Sequence, residues 1–322
     1  MLSPRSRFSS PLQVVLLAGG PSPERAVSLN SGAAVQRALT EQGHVVTFVD
    51  PAEVDLQRYD WSGCDVVFLA LHGTFGEDGQ VQQILDDAGI PYTGSGVRAS
   101  RAAFSKSVSK ERFLQRGVST APYVLVHASD SPERLYQQAA HIGFPCVVKP
   151  DAQGSSLGVS IVHKPAELAA ALDLSFSLDP FGLIERAVLG TEWTVGVLDD
   201  LTLPVIQIVP ARAFYDYSAK YEDDDTQYRF EFDVPGEVVR RIETAARRAC
   251  QALETKGLAR VDVLLDNSGQ PWVLEINTIP GMTDHSLVPK AAARAGLSFP
   301  ELCEQTILSC LPAGQTLRKK SA

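Results

Sequence analysis

Four residues near the C-terminal end of the chain sit where a plain apolar core would not accept them. Arg260, Asp262, Glu275 and Asn277 interrupt two apolar runs, Ala259 to Leu265 and Gln270 to Ile276, that read as buried strands. Asp266-Asn267-Ser268-Gly269 between the runs is hairpin chemistry, so the strands are expected to pair antiparallel. With Asn267 and Ser268 as the loop, Arg260 faces Glu275, Asp262 faces Val273, and Glu275 lies diagonal to Asp262. Side chains alternate along a strand, so the four polar residues share one face, and any slip by an even number of residues keeps them there. Two carboxylates and an amide oxygen, with no His or Cys among them, suit a hard cation such as Mg2+, which keeps waters and takes phosphate oxygens. Arg260 adds a positive fork beside them. A half-exposed hairpin with a charged outer face is the bland alternative. The turn that follows, Thr278 to Thr283, leads through Ser286 into an Ala-rich helix, where backbone N–H groups and the Ser286 hydroxyl could meet an anion.

The elements that must position this face come from a chain of 322 residues, long enough for two or three domains. Hydrophobic residues make up 44% and charged residues 21%, the balance of a soluble globular protein. No apolar run has the length of a membrane span, and MLSPRSRFSSPLQ reads as a short solvated tail without the apolar stretch of a secretory signal. A net charge of -9 argues against bulk nucleic-acid binding and points to small-molecule partners. Five cysteines, odd in number and without CxxC spacing, read as small core residues in a reducing compartment.

In chain order, Gln13 to Ala18, Val45 to Val49 and Asp65 to Leu71 are strands, separated by helices at Glu24 to Glu41 and Gln80 to Ala88, the alternation of an open parallel sheet. Such sheets bind ligands at the carboxyl ends of their strands, where the loops Gly19 to Glu24 and His72 to Gly79 lie. The glycine pair there is not GxGxxG, which makes a dinucleotide site a weak reading. His72 could be a ligand or base, although a His at a strand end is more often a hydrogen-bonded structural residue, and Glu77 and Asp78 could be no more than N-caps of the next helix. Ala102 to Gln115 reads as one helix carrying Lys106, with a domain boundary near residue 105. Pro145 to Lys149 and Gly158 to His163 are strands joined by a Gly/Ser-rich loop, Pro150 to Leu157. It is not a Walker A loop, because it joins two strands and lacks GxxxxGK[ST], and it reads as a hairpin lid over phosphates with Lys149 as a point charge. Leu183 to Val188 ends a strand at a second domain junction, the kind of place where backbone groups read adenine, and Glu192 suits the ribose. The aromatic and charged stretch from Phe214 to Thr226 has no clean period and reads as a long lid-type loop.

Together, GGPSPERAVSLNSG, LHGTFGEDG, PYTGSG, VVKPDAQGSSLG, FYDYSAKY, RVDVLLD and EINTIPGMTDHSLVP, in this order, resemble the D-alanine-D-alanine ligases, a family of ATP-grasp enzymes. The resemblance runs from about residue 12 to about residue 310. It implies an α/β fold of three-domain ATP-grasp architecture with an N-terminal open parallel sheet, divided at residues 1–105, 106–190 and 191–322. It also implies ATP-dependent joining of two D-alanines for peptidoglycan precursors, in the cytoplasm, by a homodimer. By position, Lys106, Lys149, Ser156, Glu185, Arg186 and Val188 would hold ATP, Glu192 its ribose, and Lys220 the γ-phosphate. Asp262, Glu275 and Asn277 would hold two Mg2+ ions, with Mn2+ as a substitute. Glu24 would meet the ammonium of the first D-alanine within a network of Ser155 and Tyr221. Ser286 would receive the second carboxylate, and Arg260 with the Gly281 N–H would stabilise the oxyanion. Arg186 stands where many relatives have Lys. The competing readings are a D-alanine-D-lactate ligase, against which Tyr221 argues because the depsipeptide relatives carry Phe there, and a nucleotide-binding protein without turnover, which would not need the oxyanion groups.

Overall fold

The structure is a computed structural model that describes residues 6–210, 226–283 and 285–311. Its first sheet joins β1 (Gln13–Leu17), β2 (Val45–Val49) and β3 (Val66–Leu69), all parallel and in the order β2-β1-β3. β1 and β3 are buried on both faces, as their unbroken apolar runs require. On one side Val14 and Leu16 pack with Val35 and Leu39 of the helix Arg25–Glu41 and with Leu302 and Ile307 of the helix Phe299–Leu308. On the other, Leu17 and Leu69 pack with Val81 and Leu85 of the helix Gln80–Ala88.

Two antiparallel sheets follow. β4 (Tyr123–His127), β5 (Cys146–Pro150), β6 (Ser160–Val162) and β7 (Phe181–Arg186) form the first, in the order β4-β7-β5-β6. The second comprises β8 (Gly190–Leu198), β9 (Leu201–Thr202), β10 (Ile206–Val209), β11 (Gln227–Arg229), β12 (Leu258–Asp266) and β13 (Pro271–Asn277), in the order β11-β10-β8-β12-β13 with β9 on β8. The amphipathic helix Gly236–Leu253 covers one face of this sheet, where Ile242 and Ala246 meet Val261 and Val263. That leaves the even-numbered residues of β12 on the opposite face.

The stretch read as one helix from Ala102 to Gln115 is two, Val97–Phe104 and Lys106–Gln115. Ser105 between them is extended (φ -85°, ψ 114°) and its hydroxyl accepts from Val108 N, so a cap interrupts an otherwise continuous helical pattern. Asp151 supports the new N-terminus from β5's end, accepting from Ser107 N at 2.7 Å and from Ser105 Oγ at 2.7 Å. All five cysteines are free. Among the described residues no helix is long and apolar enough to cross a membrane.

Candidate active site

The hairpin that carries the polar face is real, but its register is not the expected one. Arg260 faces Asn277 and Asp262 faces Glu275, two residues away from the expected pairing. The loop holds three residues rather than two: Asp266 N donates to Gln270 O at 3.1 Å, and Gly269 takes the left-handed conformation at φ 77°. Continued unchanged, that loop would set Asp262 opposite Leu274 and turn Glu275 toward the core. Instead the ladder shifts by one residue between Asp262 and Val263, the signature of a bulge on β13. The extra residue turns Glu275 and Asn277 back to the face of Arg260 and Asp262, so the shared face survives the corrected register.

Asp262, 5% exposed, is the hub. Its Oδ1 accepts from Thr194 Oγ1 at 2.7 Å and Arg260 Nε at 2.9 Å; its Oδ2 accepts from an Arg260 terminal nitrogen at 2.8 Å and Asn277 Nδ2 at 3.2 Å. Thr194 lies directly across from Asp262 on β8, a position that composition and motif reading did not single out. Glu275 is freer, with Lys106 Nζ 3.8 Å from its carboxylate. Among the described residues no three His, Cys, Asp or Glu side chains cluster as metal ligands. The donor set is two carboxylates and the Asn277 amide, all able to offer oxygen, which fits Mg2+ rather than a softer ion.

Two cavities meet at this face. One, of about 530 Å³, is lined by Glu24, Ser155, Arg260, Gly281 and Ser286; the other, of about 570 Å³, by Lys106, Lys149, Ser156, Glu185, Val188 and Glu192. Asp262 and Glu275 line both.

In the first cavity, Glu24 begins the helix Arg25–Glu41 without using its side chain as a cap, so its carboxylate is available to the cavity. Ser155 Oγ donates to Glu24 Oε1, linking the N-terminal loop to the Gly/Ser-rich loop. Gly154 and Gly73 make room for that carboxylate, since a Cβ on either would stand 2.8 Å or less from Glu24 Oε2. Ser286 precedes the helix Leu287–Arg294 and its Oγ accepts from Thr283 N at 3.0 Å. Gly281 lies so close that a Cβ there would meet Ser286 Oγ at 2.8 Å.

His72 has the structural role expected of it. Nδ1 bonds Ile279 O at 3.1 Å and Nε2 bonds Ser31 Oγ at 3.2 Å, and burial drops its pKa to about 4, so the ring is neutral and holds the turn that carries Gly281. Ser31 Oγ also accepts from Met282 N, which ties the same turn to the first helix. Asp78 is not the N-cap, which is Gly79; it stands one residue earlier and accepts from Phe75 N and Gln80 N. Glu77 does not act as a plain cap. It lines the first cavity, accepts from Gly73 N at 2.8 Å, and is pushed up to about 8 by burial and by the nearby Glu24 charge.

In the second cavity, Lys106 Nζ donates to Gln153 O at 2.5 Å, and burial pulls its pKa below the ordinary lysine range while Glu275 opposes. Lys149 Nζ is 2.8 Å from Glu185 Oε1. The same oxygen is 3.2 Å from Lys110 Nζ, a fully buried lysine that no motif in the sequence reading marked. Burial alone would raise Glu185, yet Lys110 and Lys149 together hold it below the ordinary glutamate range. Arg186, which also lines this cavity, lays its guanidinium over Trp272 at 5.5 Å. Lys220 and Tyr221, together with most of the lid-type loop, lie outside the described residues.

A parallel α/β unit followed by two antiparallel sheets, with a lysine-lined cavity between the sheets, is the ATP-grasp architecture. Family models described as D-ala D-ala ligase N-terminus and C-terminus match residues 51–95 and 113–308. A D-alanine–D-alanine ligase of Gloeobacter violaceus is 44% identical over 92% of this chain and 98% of that protein. One from Anaeromyxobacter dehalogenans is 45% identical over 92% and 96%. The crystal structure of the Bacillus anthracis ligase complexed with ATP superposes with a TM-score of 0.81 at 30% identity, covering 93% of this chain and 97% of that one. The VanG D-Ala:D-Ser ligase of Enterococcus faecalis does so with a TM-score of 0.82 at 27% identity, covering 94% and 100%. The chain belongs to the D-alanine–D-alanine ligase family.

Proposed function

We propose that the protein joins two D-alanines to D-alanyl-D-alanine at the expense of ATP, through a D-alanyl phosphate, and so supplies a peptidoglycan precursor. The observation that carries this reading is the wall shared by the two cavities, since Asp262 and Glu275 border both and a phosphoryl group can pass from one to the other there. Lys106, Lys149 and Ser156 receive the phosphates, the segment Glu185 to Val188 the base, and Glu192 the ribose. Two Mg2+ ions, when bound by Asp262, Glu275 and Asn277, would neutralise charge on the transferring phosphoryl group.

In the other cavity Glu24, oriented by Ser155, takes the ammonium of the first D-alanine and leaves its carboxylate toward Arg260. The amine of the second D-alanine attacks the acyl phosphate, and Arg260 with the Gly281 N–H accommodates the oxyanion before phosphate departs. Ser286, at the start of its helix, receives the second carboxylate. By the resemblance alone, Lys220 and Tyr221, outside the described residues, take the γ-phosphate and a place in the Glu24 and Ser155 network, respectively. We read the chain as three units with boundaries near residues 105 and 190, acting as a homodimer in the cytoplasm.

The test is product analysis with ATP, Mg2+ and D-alanine as the sole amino acid. Phosphate and dipeptide should appear in equal amounts. Absence of phosphate release would support a binding protein, and a depsipeptide formed in preference to dipeptide when D-lactate is added would reassign the acceptor.

A further inference from the structure

Lys110 is a charged side chain that the proposed reaction does not use. It projects from the helix Lys106–Gln115, is fully buried, and lines neither cavity. An ammonium buried in this way is costly unless every N–H finds an acceptor. Here three acceptors surround Nζ: Thr120 Oγ1 at 2.7 Å, Ala121 O at 3.2 Å and Glu185 Oε1 at 3.2 Å. Thr120 spends its own proton on Val273 O at 2.8 Å, so its oxygen can only accept from Lys110. Two of these contacts are hydrogen bonds and the third, to Glu185 Oε1, is an ion pair at 3.2 Å, an environment of oxygen acceptors that suits an ammonium better than a neutral amine.

The group held in this way is Glu185. Its side chain is only 3% exposed, it lines the second cavity, and it pairs in register with Val147, another lining residue. Lys149 and Lys110 both form ion pairs with Oε1, at 2.8 and 3.2 Å and without hydrogen-bond alignment, and among the described residues no hydrogen bond or ion pair engages Oε2. The two lysines differ in what they can do next. Lys149 lines the cavity and can turn to a nucleotide, whereas Lys110 has no other place to go. Once Lys149 is shared with a ligand, Lys110 alone keeps a buried carboxylate ionised and fixed.

We propose that Lys110 is a positioning residue: it holds Glu185 as an acceptor-only group on the nucleotide cavity wall, and thereby gives the site its preference for a 6-amino over a 6-oxo purine. An ionised carboxylate accepts and cannot donate, so it receives an exocyclic amino group and repels a carbonyl oxygen. Burial draws the Lys110 pKa down to about 8, with Glu185 opposing, and this still leaves it mainly charged near neutrality. This inference rests on the second cavity being the nucleotide site.

The experiment compares steady-state kinetics with ATP and with inosine triphosphate, which carries a 6-oxo group and an N1–H where ATP has a 6-amino group and a bare N1, in the wild-type protein, Lys110→Met and Glu185→Gln. The wild type should favour ATP strongly, and Lys110→Met should cut that preference by about 10- to 100-fold through a higher KM for ATP, with kcat at saturation changed far less. A purely structural role would instead lower the melting temperature and affect both nucleotides alike. Glu185→Gln, which puts an amide donor at the same place, should lose the preference too, and adding Lys110→Met to it should change little more. If Lys110→Met keeps the wild-type ratio while Glu185→Gln loses it, the role of Lys110 is overturned. If Lys110→Met does not fold, a Glu185→Gln protein that keeps the ratio still overturns the proposal. A wild-type protein that turns over neither nucleotide would refute the underlying site instead.

Discussion

Replacing Asp262 by Asn tests whether the hub of the site is electrostatic or merely steric. The amide has the shape of the carboxylate, but the two are not interchangeable among these neighbours. Asp262 accepts from Thr194, twice from Arg260, and from Asn277, at 2.7 to 3.2 Å. An amide keeps one oxygen and puts an NH2 where the other stood, so it meets either Arg260 Nε or the second Arg260 nitrogen and Asn277 Nδ2 with hydrogens against hydrogens, whereas the Thr194 hydroxyl can turn to Val261 O and accept. At least one charge-assisted bond to Arg260 is lost in either orientation, which at a 5% exposed position costs about 1.5 to 3 kcal/mol of stability. Thr194→Val removes one bond and no charge, and should cost about 1 to 2 kcal/mol. Glu275→Gln is the complementary case, because its described ion pair is a 3.8 Å contact with Lys106, and truncating that charge should hardly move the melt. Catalysis should rank differently. Asp262→Asn and Glu275→Gln each remove a charge from the phosphoryl-transfer site and should lower phosphate release by about 100-fold or more, with a raised Mg2+ requirement. Thr194→Val should fall much less. Urea melts and phosphate release against Mg2+ concentration measure both rankings, and a Glu275→Gln protein with wild-type release at saturating Mg2+ would refute the metal assignment.

Gly281→Ala should lower kcat/KM by about 10- to 100-fold with little change in the melt, because its Cβ would press on Ser286 Oγ at 2.8 Å and move both acceptor-side groups; unaltered kinetics would remove Gly281 from the oxyanion role. Glu304→Gln probes a clasp far from the chemistry, where a carboxylate with no exposed surface accepts from Ser6 Oγ at 2.6 Å, Arg7 N at 2.8 Å and His44 Nε2 at 3.0 Å. Burial would raise Glu304, but these partners hold it below the ordinary glutamate range, so its contribution is present above that range and fades as pH falls through the depressed folded value. The mutant should be about 1 to 3 kcal/mol less stable at neutral pH, with the gap closing below about pH 4; a gap independent of pH in urea melts would contradict this. Tyr221→Phe, if its hydroxyl joins the observed Ser155 to Glu24 link, should lower dipeptide formation by about 1 to 3 kcal/mol of activation energy and admit D-lactate as acceptor at the acid end. The product ratio with both acceptors present, followed from about pH 6 to 9, reads this out, and an unchanged ratio would withdraw the role.

Much of the site was legible because period-two alternation is robust. Arg260, Asp262, Glu275 and Asn277 stay on one face through a register slip of two, so the shared face could be read without the correct pairing. The pairing itself was not legible, because Asn267-Ser268-Gly269 closes equally well as a two- or three-residue loop and nothing in VLEIN announces that Leu274 is the extra residue of a bulge. The break at Ser105 was hidden for a related reason. Its cap depends on Asp151, some distance along the chain, whose carboxylate is fixed by the third dimension rather than by local spacing. Lys110, on a helix, and Thr194, on β8, escaped notice because each meets its partner, Glu185 on β7 and Asp262 on β12, only in the folded chain.

The division of labour in the site follows from where each group is rooted. The groups assigned to metal and oxyanion sit on β12, β13 and the turn after them, and β12 is hydrogen-bonded on both sides, to β8 and to β13. Backbone paired in this way cannot drift by much, which suits groups that must match a transition state within a fraction of an ångström. The assigned substrate contacts come from loops instead: Glu24 after β1, Ser155 and Ser156 between β5 and β6, and Ser286 before its helix. Ser155 and Ser156 hold left-handed backbone at φ 52° and 57°, which non-glycine residues adopt at a cost of order 1 kcal/mol each, and the Ser155 to Glu24 bond is one contact that offsets it. Since the bond joins two loops, either substrate-side partner can move the other, whereas the hairpin beneath them does not need to. Loss of Ser155's hydroxyl should therefore appear mainly in the KM for the first D-alanine, and loss of Asp262's charge mainly in kcat.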